Sequence, residues 1–266
     1  MMICYQRSAS AEESIIFVFI QFSCVSAYLM IQNDFPTSLP ETDTSGIRLF
    51  LDTADTKEWQ NWLPTGLFYG VTTNPLLLER DKVNCTIEAL ASLAKEGFNL
   101  GAKEIQLQTW GTSVDSLVER GKKLAAIDNR IIVKVPITKI GTQAAFQLIA
   151  AGVKITLTGV YAVHQIAIAA ALHADYTAPY LGRINDLGRN GREDIAAMGK
   201  IISSLGSTTR ILVASIRSVD DIAFLASQGL NTFTLSPAIA AGFFDVAATI
   251  QAANDFQEAA RKMGGE

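Results

Sequence analysis

The chain has 266 residues, of which 49% are hydrophobic, so it is long and apolar enough to bury a sizeable core. Its formal net charge is −4 and its pI is about 5.3, and it contains no long basic run. Because nucleic acids and anionic membranes attract basic surfaces, we expect neither as a partner. An α/β barrel of this length is often a single domain.

The three cysteines form no close pair in the sequence. This spacing argues against a disulfide framework or a thiolate metal site. It fits a reducing compartment, so we expect a cytoplasmic protein. Two histidines are too few for a histidine-rich metal site, and no motif suggests a metal held by carboxylates. We therefore expect no metal and no other cofactor. The residues concerned are Cys4, Cys24, Cys85, His164 and His173.

The first part of the chain differs from the rest. Ile15–Ile31 is uncharged and largely apolar, but it is marginal in length for a membrane span. Glu12 and Glu13 stand just before it, which is unlike a signal peptide or a transit peptide. Asn33–Gly46 is polar and proline-rich, as linkers are. We predict that residues 1–45 are an extension outside the folded domain and that residues 46–266 form that domain.

From Ile47 onward, short apolar runs alternate with segments whose apolar residues have helical spacing. Strands followed by helices, repeated eight times, are the pattern of a (β/α)₈ TIM barrel. The predicted strands are Ile47–Leu51, Phe68–Thr72, Glu104–Thr109, Ile131–Val135, Lys154–Thr158, Tyr176–Tyr180, Ile211–Ser215 and Thr232–Leu235. The clearest predicted helices are Thr142–Ala151, Ala162–Leu172, Ile195–Leu205, Val219–Ser227 and Ala238–Ala252.

The main rival fold is a doubly wound open sheet, which should carry a glycine-rich nucleotide loop after its first strand. Here the first strand is followed by Asp52–Asp55 instead, which favours the barrel. Several predicted helices end at a glycine, where a residue with positive φ is often needed. These glycines are Gly101, Gly152, Gly206 and Gly229.

Lys134 lies within Arg130–Pro136, a run of β-branched residues that predicts a strand buried on both faces. Burial disfavours the charged ammonium, so a lysine in this strand is costly. One interpretation is an amine that reaches water at the strand end or pairs with a carboxylate. The other is an amine with a lowered pKa that attacks a carbonyl. The strand alone favours the first interpretation, whereas the rest of the chain favours the second.

In a barrel of this type, functional side chains gather where the strands end. The predicted strands end at a carboxylate, an amide pair, an amine, hydroxyls and two guanidinium groups. Each residue alone has an ordinary structural explanation, such as a helix cap for Asp52 or turn chemistry for Asn74. Their shared position predicts one site, made of Asp52, Thr72, Asn74, Gln108, Lys134, Thr158, Tyr180, Arg183, Ser215 and Arg217.

In sequence, the chain from about Ile47 onward resembles the transaldolase family, and most of all its short members, the fructose-6-phosphate aldolases. The resemblance rests on motifs that occur in the family's order: Leu51-Asp52-Thr53-Ala54, Gly70-Val71-Thr72-Thr73-Asn74-Pro75, Val133-Lys134-Val135-Pro136, Ala178-Pro179-Tyr180-Leu181-Gly182-Arg183-Ile184 and Ala214-Ser215-Ile216-Arg217. It implies a (β/α)₈ barrel whose strand-four lysine, here Lys134, forms a Schiff base with the substrate.

The resemblance also implies roles for the other site residues. A neutral Lys134 would attack the C2 carbonyl of a ketose phosphate, and Asp52 would remove the C4 hydroxyl proton so that the C3–C4 bond breaks. Asn74, with Thr72 beside it, would hold substrate hydroxyls. The phosphate would be bound by Arg183, Arg217 and Ser215, because guanidinium groups can make bidentate contacts with phosphate oxygens.

Two activities within the family differ in the fate of the three-carbon enamine left on the lysine. A transaldolase passes it to an aldose phosphate, as in the pentose phosphate pathway, whereas an aldolase releases dihydroxyacetone by hydrolysis. Gln108, Thr158 and Tyr180 resemble the water-holding residues of the aldolases, although Gln106 lies close to Gln108 on the same strand. We therefore expect a fructose-6-phosphate aldolase-like lyase, with a true transaldolase as the alternative.

Further readings stay open. A deoxyribose-phosphate aldolase would need a second lysine near the nucleophile, for which Lys139 and Lys154 are the nearest candidates. A non-catalytic barrel that binds sugar phosphates is a third possibility, against which the intact set of Asp52, Asn74 and Lys134 argues. Short family members form ring-like oligomers. We therefore expect a homo-oligomer, in which the predicted C-terminal helix from Val246 to about Lys262 would take part.

Overall fold

The computed structural model describes residues 46–265, so the predicted N-terminal extension lies outside the described residues. The strands are β1 (Arg48–Asp52), β2 (Gly70–Thr72), β3 (Glu104–Gln108), β4 (Ile131–Pro136), β5 (Ile155–Val160), β6 (Tyr176–Pro179), β7 (Arg210–Ile211) and β8 (Thr232–Leu235). All of their pairings are parallel, and their order in the sheet is β7-β6-β5-β4-β3-β2-β1-β8.

The helices are α1 (Thr56–Trp62), α2 (Pro75–Arg80), α3 (Ile87–Asn99), α4 (Val114–Ala125), α5 (Lys139–Ala150), α6 (Ile166–Ala171), α7 (Leu181–Asp186), α8 (Gly191–Ser204), α9 (Val219–Ser227), α10 (Pro237–Ala241) and α11 (Ala247–Lys262). Short 3₁₀ turns follow α1 at Leu63–Thr65 and precede α6 at Val163–Gln165. Many helices begin where a polar side chain accepts a hydrogen bond from a backbone N–H of the first turn, which satisfies a donor that the helix leaves free. Such caps are Asp55, Asn74, Thr86, Ser113, Thr138, Asn190, Ser218 and Ser236.

Backbone hydrogen bonds beyond β7 bring the two ends of the sheet together. Val213 forms an isolated parallel bridge with Phe233 of β8. The N–H of Val213 donates to the carbonyl of Thr232 at 3.0 Å, and the N–H of Thr234 donates to the carbonyl of Val213 at 2.8 Å. Both distances are usual for backbone hydrogen bonds between strands. The eight parallel strands with alternating helices therefore form a nearly closed (β/α)₈ barrel, which confirms the predicted fold class.

Most predicted elements differ from the structure by a few residues at their ends, and two of the differences have a clear cause. The predicted strand Ile211–Ser215 is shorter as β7, because Val213 and Ala214 make only isolated bridges and Ser215 turns to a left-handed φ of 58°. The predicted helix Ala238–Ala252 was wrong as one element, because it is divided into α10 and α11. The chain turns between these helices at Gly242–Val246, where Phe244 stacks on Trp62. The predicted positive φ values at Gly101, Gly152, Gly206 and Gly229 are confirmed.

The lower part of the barrel interior is filled by polar and aromatic side chains. Arg48 donates a hydrogen bond to the Tyr176 hydroxyl at 2.6 Å, and that hydroxyl donates to Glu104 at 3.1 Å. Gln106 donates to Glu104 at 3.0 Å and accepts from Thr156 at 2.8 Å. A buried cluster adjoins this network through Tyr176 and consists of Phe50, Ile132, Tyr176, Ala178 and Leu212. The barrel is therefore packed at its N-terminal end and open at the C-terminal ends of its strands.

Within residues 46–265, no helix is both long enough and apolar enough to cross a membrane. The longest helix, α11, has 16 residues and no buried side chain. It nevertheless carries large apolar residues on its surface: Ile250 is 51% exposed and Phe256 is 73% exposed. Exposed apolar surface of this kind marks interaction sites. We propose that α11 packs against another copy of the chain, as the expected homo-oligomer requires.

This proposal predicts a mass in solution above that of one 28.7 kDa chain, measured by light scattering. Replacing both Ile250→Gln and Phe256→Gln should reduce the mass to that of a single chain without changing the circular dichroism spectrum. As a control, Gln251→Ala on the same exposed helix should keep the larger mass. A wild-type protein with the mass of one chain at micromolar concentration would contradict the proposal.

Candidate active site

A cavity of about 290 Å³ opens at the C-terminal ends of the strands. Seven of the ten residues predicted for the site line it, namely Asp52, Asn74, Gln108, Lys134, Tyr180, Arg183 and Ser215. Thr72, Thr158 and Arg217 are not among the lining residues, although each contacts a side chain or segment close to the cavity. The remaining lining residues are Pro75, Leu76, Leu77 and Ala214.

Lys134 lies in the middle of β4, and its side chain reaches the cavity. The residue is 3% exposed, and within residues 46–265 no carboxylate forms an ion pair with its amine. Burial lowers the pKa of Lys134 below its ordinary value of 10.5, while the nearby negative charge of Asp52 acts in the opposite direction. The amine is thus easier to deprotonate than a surface lysine, and only the neutral form can attack a carbonyl.

Asp52 ends β1, and its side chain is held by Thr72 at the end of β2. The Thr72 hydroxyl donates to Oδ1 of Asp52 at 2.6 Å and also contacts the hydroxyl of Thr234 in β8. Asp55, and not Asp52, caps helix α1, so the helix-cap interpretation of Asp52 was wrong. The hydrogen bond from Thr72 orients the Asp52 carboxylate. Thr72 itself is fully buried, so its contact with substrate stays a prediction.

Asn74 both caps a helix and faces the cavity. Its Oδ1 accepts hydrogen bonds from the backbone N–H groups of Leu76 and Leu77, at 3.0 and 3.1 Å. The turn interpretation and the site interpretation of this residue are therefore compatible. Since the helix occupies the oxygen, the amide NH₂ group is the part of Asn74 that remains to donate to a ligand.

The structure separates the two glutamines of β3. Gln106 is fully buried and takes part in the network below the cavity, where it contacts Glu104 and Thr156. Gln108 lies two residues further along the strand, pairs in register with Lys134 and lines the cavity. Side chains two residues apart in a strand share a face but lie at different heights. Gln108 therefore faces the cavity and Gln106 does not, and the contact of Gln108 with a catalytic water stays a prediction.

Tyr180 lines the cavity and contacts Thr158, Tyr161 and Arg183. Its hydroxyl is hydrogen bonded to Thr158 at 2.8 Å, and its ring contacts the ring of Tyr161 edge-on. Arg183 lies over the Tyr180 ring, 5.2 Å from its centre, and donates to the Tyr161 hydroxyl at 3.2 Å. Burial raises the pKa of Tyr180, so the phenol keeps its proton near neutral pH. A protonated hydroxyl can donate to a water molecule in the cavity.

Ser215 and Arg217 follow β7 but occupy different positions. Ser215 lines the cavity in a left-handed backbone conformation, which is uncommon for a residue with a side chain and often marks functional sites. The Arg217 guanidinium is directed to Asp186 at the end of α7, with N···O distances of 2.7 and 2.5 Å. Phosphate binding by Arg217 therefore stays a prediction.

Sequence reasoning missed some residues that shape the site. Leu76 and Leu77 follow the recognisable Asn74–Pro75 pair, so the start of α2 at this strand end gave a local signal for them. Thr234 contacts Thr72 across 162 positions of the chain, and Asp186 contacts Arg217 across 31. No local pattern marked these two contacts.

Comparison with known proteins identifies the family of the chain. The family model described as "Transaldolase/Fructose-6-phosphate aldolase" matches residues 49–265. The chain belongs to this family. Every residue assigned to the site lies within the matched range.

Similar proteins match over most of the chain. A protein of Desulfotalea psychrophila named "Probable transaldolase" is 34% identical over 191 residues, which cover 71% of this chain and 86% of that protein. Another with the same name, from Hyphomonas neptunium, is 30% identical over 220 residues, 83% of this chain and 100% of that protein. The solved structure of a putative lyase/mutase from Burkholderia cenocepacia superposes on this chain with a TM-score of 0.54 and 14% sequence identity. The match covers 80% of this chain and 83% of that one, and it supports the fold alone.

The buried amine predicts a stability that depends on pH. Between the lowered pKa of Lys134 and 10.5, the unfolded chain holds a proton that the folded chain has lost, so stability rises with pH in that window. Below the window, the cost of the buried charge is fully present. Lys134→Met should therefore raise the melting temperature at pH 7 by several degrees, and the gain should shrink as the pH approaches 10.5.

Thermal unfolding followed by circular dichroism across this pH range is the measurement. Lys139→Met provides the matched control, because Lys139 is exposed at the start of α5 and its replacement should have a small effect on stability. A Lys134→Met variant that is less stable than the wild type at every pH would contradict the expected cost of burying this amine.

Proposed function

We propose that the chain is a Schiff-base enzyme that transfers a dihydroxyacetone unit from a ketose phosphate to an aldose phosphate. The observation that carries this proposal is the Lys134 amine, which is buried, has a lowered pKa and faces a cavity that it shares with Asp52. Among the described residues that line the cavity, Lys134 is the single lysine. A deoxyribose-phosphate aldolase, which needs a second lysine there, is less well supported. Lys154 instead lies near Glu104, at the other end of the barrel.

The chemistry would begin with attack of the neutral Lys134 amine on the C2 carbonyl of the ketose. Uptake of a proton and loss of water convert the adduct to an iminium ion. The Asp52 carboxylate takes the proton of the C4 hydroxyl, the C3–C4 bond breaks, and its electrons move to the iminium nitrogen. An aldehyde leaves, and a neutral enamine of dihydroxyacetone stays on Lys134. Attack of this enamine on an acceptor aldehyde, with return of the proton from Asp52, reverses these steps on a new partner.

The walls of the cavity suit a phosphorylated sugar. Arg183 brings a guanidinium group to one side, and Ser215 brings a hydroxyl group close to it. The Asn74 amide can donate to a substrate hydroxyl from the opposite wall. These donors support a ketose whose phosphate lies toward Arg183 and whose reacting carbons lie between Lys134 and Asp52.

The names of the similar proteins support transfer over hydrolysis. Three similar proteins are 30–34% identical to this chain, and the aligned region spans 85% or more of each of them. All three are named "Probable transaldolase". The second candidate function is hydrolytic release of dihydroxyacetone, the activity of a fructose-6-phosphate aldolase. It is favoured by one observation, the hydrogen bond between Thr158 and the Tyr180 hydroxyl at 2.8 Å, because this pair can hold a water molecule near the imine.

Reduction by borohydride tests the covalent step. With fructose 6-phosphate present, borohydride should trap a three-carbon adduct on Lys134, identified by peptide mass spectrometry. Lys134→Met should form no adduct, and Lys139→Met should react like the wild type. Asp52→Asn should still form an imine, but its turnover should fall by about 100- to 10,000-fold, the usual contribution of a general base. The absence of any adduct on Lys134 would refute the Schiff-base mechanism.

A second assay separates transfer from hydrolysis. Release of glyceraldehyde 3-phosphate from fructose 6-phosphate should require erythrose 4-phosphate if the enzyme is a transaldolase. Any release without this acceptor should decrease in Tyr180→Phe, because the phenyl ring loses the hydroxyl that bonds to Thr158. Tyr161→Phe, which keeps the Thr158–Tyr180 pair, should leave the ratio of the two activities unchanged. Rapid release without an acceptor in the wild type would favour the aldolase.

A further inference from the structure

The two arginines predicted to bind phosphate differ in their position relative to the cavity and in their hydrogen-bond partners. Arg183 lines the cavity, and its guanidinium makes one long hydrogen bond, 3.2 Å, to the Tyr161 hydroxyl. Arg217 has both terminal nitrogens directed to the two carboxylate oxygens of Asp186, at 2.7 and 2.5 Å. It is not among the residues that line the cavity.

Arg217 is nevertheless close to the cavity wall. A Cβ atom on Gly182 would lie 2.6 Å from Nε of Arg217, so the guanidinium passes directly over the backbone of this glycine. Gly182 is the residue before Arg183, and its N–H donates to the carbonyl of Ser215 at 2.9 Å. The side chain of Arg217 thus runs beside two residues that line the cavity, while its charged end points to Asp186.

We propose that Asp186 competes with the phosphate group of the substrate for Arg217, and thereby sets how strongly the enzyme prefers phosphorylated over free ketoses. This inference rests on the proposed function, and it concerns a residue that acts through Arg217 and not on the reacting atoms. Asp186 holds the Arg217 guanidinium outside the cavity. When a phosphate arrives beside Arg183 and Ser215, Arg217 exchanges one anionic partner for another.

The properties of the ion pair are those of a partner that can be exchanged. The Arg217 and Asp186 side chains are 58% and 53% exposed, so water and salt weaken their attraction. A phosphate monoester near neutral pH carries close to two negative charges and three acceptor oxygens, whereas a carboxylate carries one charge and two oxygens. The phosphate therefore has the stronger attraction for Arg217.

The competition has a cost that falls on phosphorylated ligands alone. A free ketose has no group that displaces Asp186, so it binds with the Arg217–Asp186 pair intact. A ketose phosphate must break that pair to gain its second guanidinium. The Asp186 carboxylate therefore lowers the affinity for ketose phosphates, and the difference in affinity between phosphorylated and free ketoses becomes smaller.

The test replaces Asp186→Asn, which keeps the size of the side chain and removes its charge. Inorganic phosphate should bind about two- to fivefold more tightly by calorimetry, the range expected for the loss of an exposed ion pair that opposes binding. The KM for fructose 6-phosphate should fall by a similar factor with kcat little changed, and the KM for fructose should stay the same. Asp220→Asn removes an exposed charge three residues after Arg217 in the chain that forms no described ion pair, and it should leave all of these values unchanged.

The dependence on Arg217 is tested in the Arg217→Ala background, where adding Asp186→Asn should have no further effect on phosphate binding. Weaker phosphate binding in Asp186→Asn would mean that the carboxylate supports Arg217 and would overturn the proposal. Unchanged phosphate binding would overturn it too. Tighter phosphate binding without a borohydride adduct on Lys134 would refute the Schiff-base function and leave the competition for Arg217 standing. A normal adduct on Lys134 together with unchanged phosphate binding would overturn the competition for Arg217 and leave the Schiff-base function standing.

Discussion

The rest of the site depends on one constraint, the burial of an amine inside a barrel of parallel strands. Lys134 is surrounded by strands that leave it 3% exposed, and this burial lowers its pKa. An ammonium in this place would be unstable unless a counter-charge were close, and Asp52 supplies one without forming an ion pair with it in the described chain. In the proposed mechanism the same carboxylate accepts a proton, so one charged group both stabilises the ammonium form of Lys134 and serves the reaction.

Alternation along the strands divides the barrel interior into levels. Side chains two residues apart point the same way, so Gln106 and Gln108 follow one another up β3, and Ile132 and Lys134 do so up β4. The lower members are buried in a hydrogen-bonded network or an apolar cluster, and the upper members face the cavity. The hydrogen bonds and apolar packing of the lower levels thus support the strands that carry the upper side chains.

Much of this arrangement was predictable because it is local in the chain. The apolar runs located the strands, and the polar residues at their ends located Asp52, Asn74, Lys134 and Arg183 in the cavity. The Thr72–Thr234 and Arg217–Asp186 contacts were not predictable, since they depend on closure of the barrel and on the path of a short helix. The break between α10 and α11 was missed because the apolar spacing continues through Gly242–Val246, while the chain turns where Phe244 meets Trp62.

The filled lower half of the barrel has a kinetic consequence. Phe50, Ile132 and Leu212 pack with Tyr176 of the Arg48–Glu104–Tyr176 network, so side chains fill the described barrel below the cavity, as in other barrels of this type. Donor, first product, acceptor and second product must all pass through the same mouth. In the proposed transfer, the released aldehyde therefore has to leave before the acceptor can reach the enamine. Such an enzyme follows ping-pong kinetics, in which the three-carbon unit stays covalently bound to the protein after the first product leaves and before the acceptor binds.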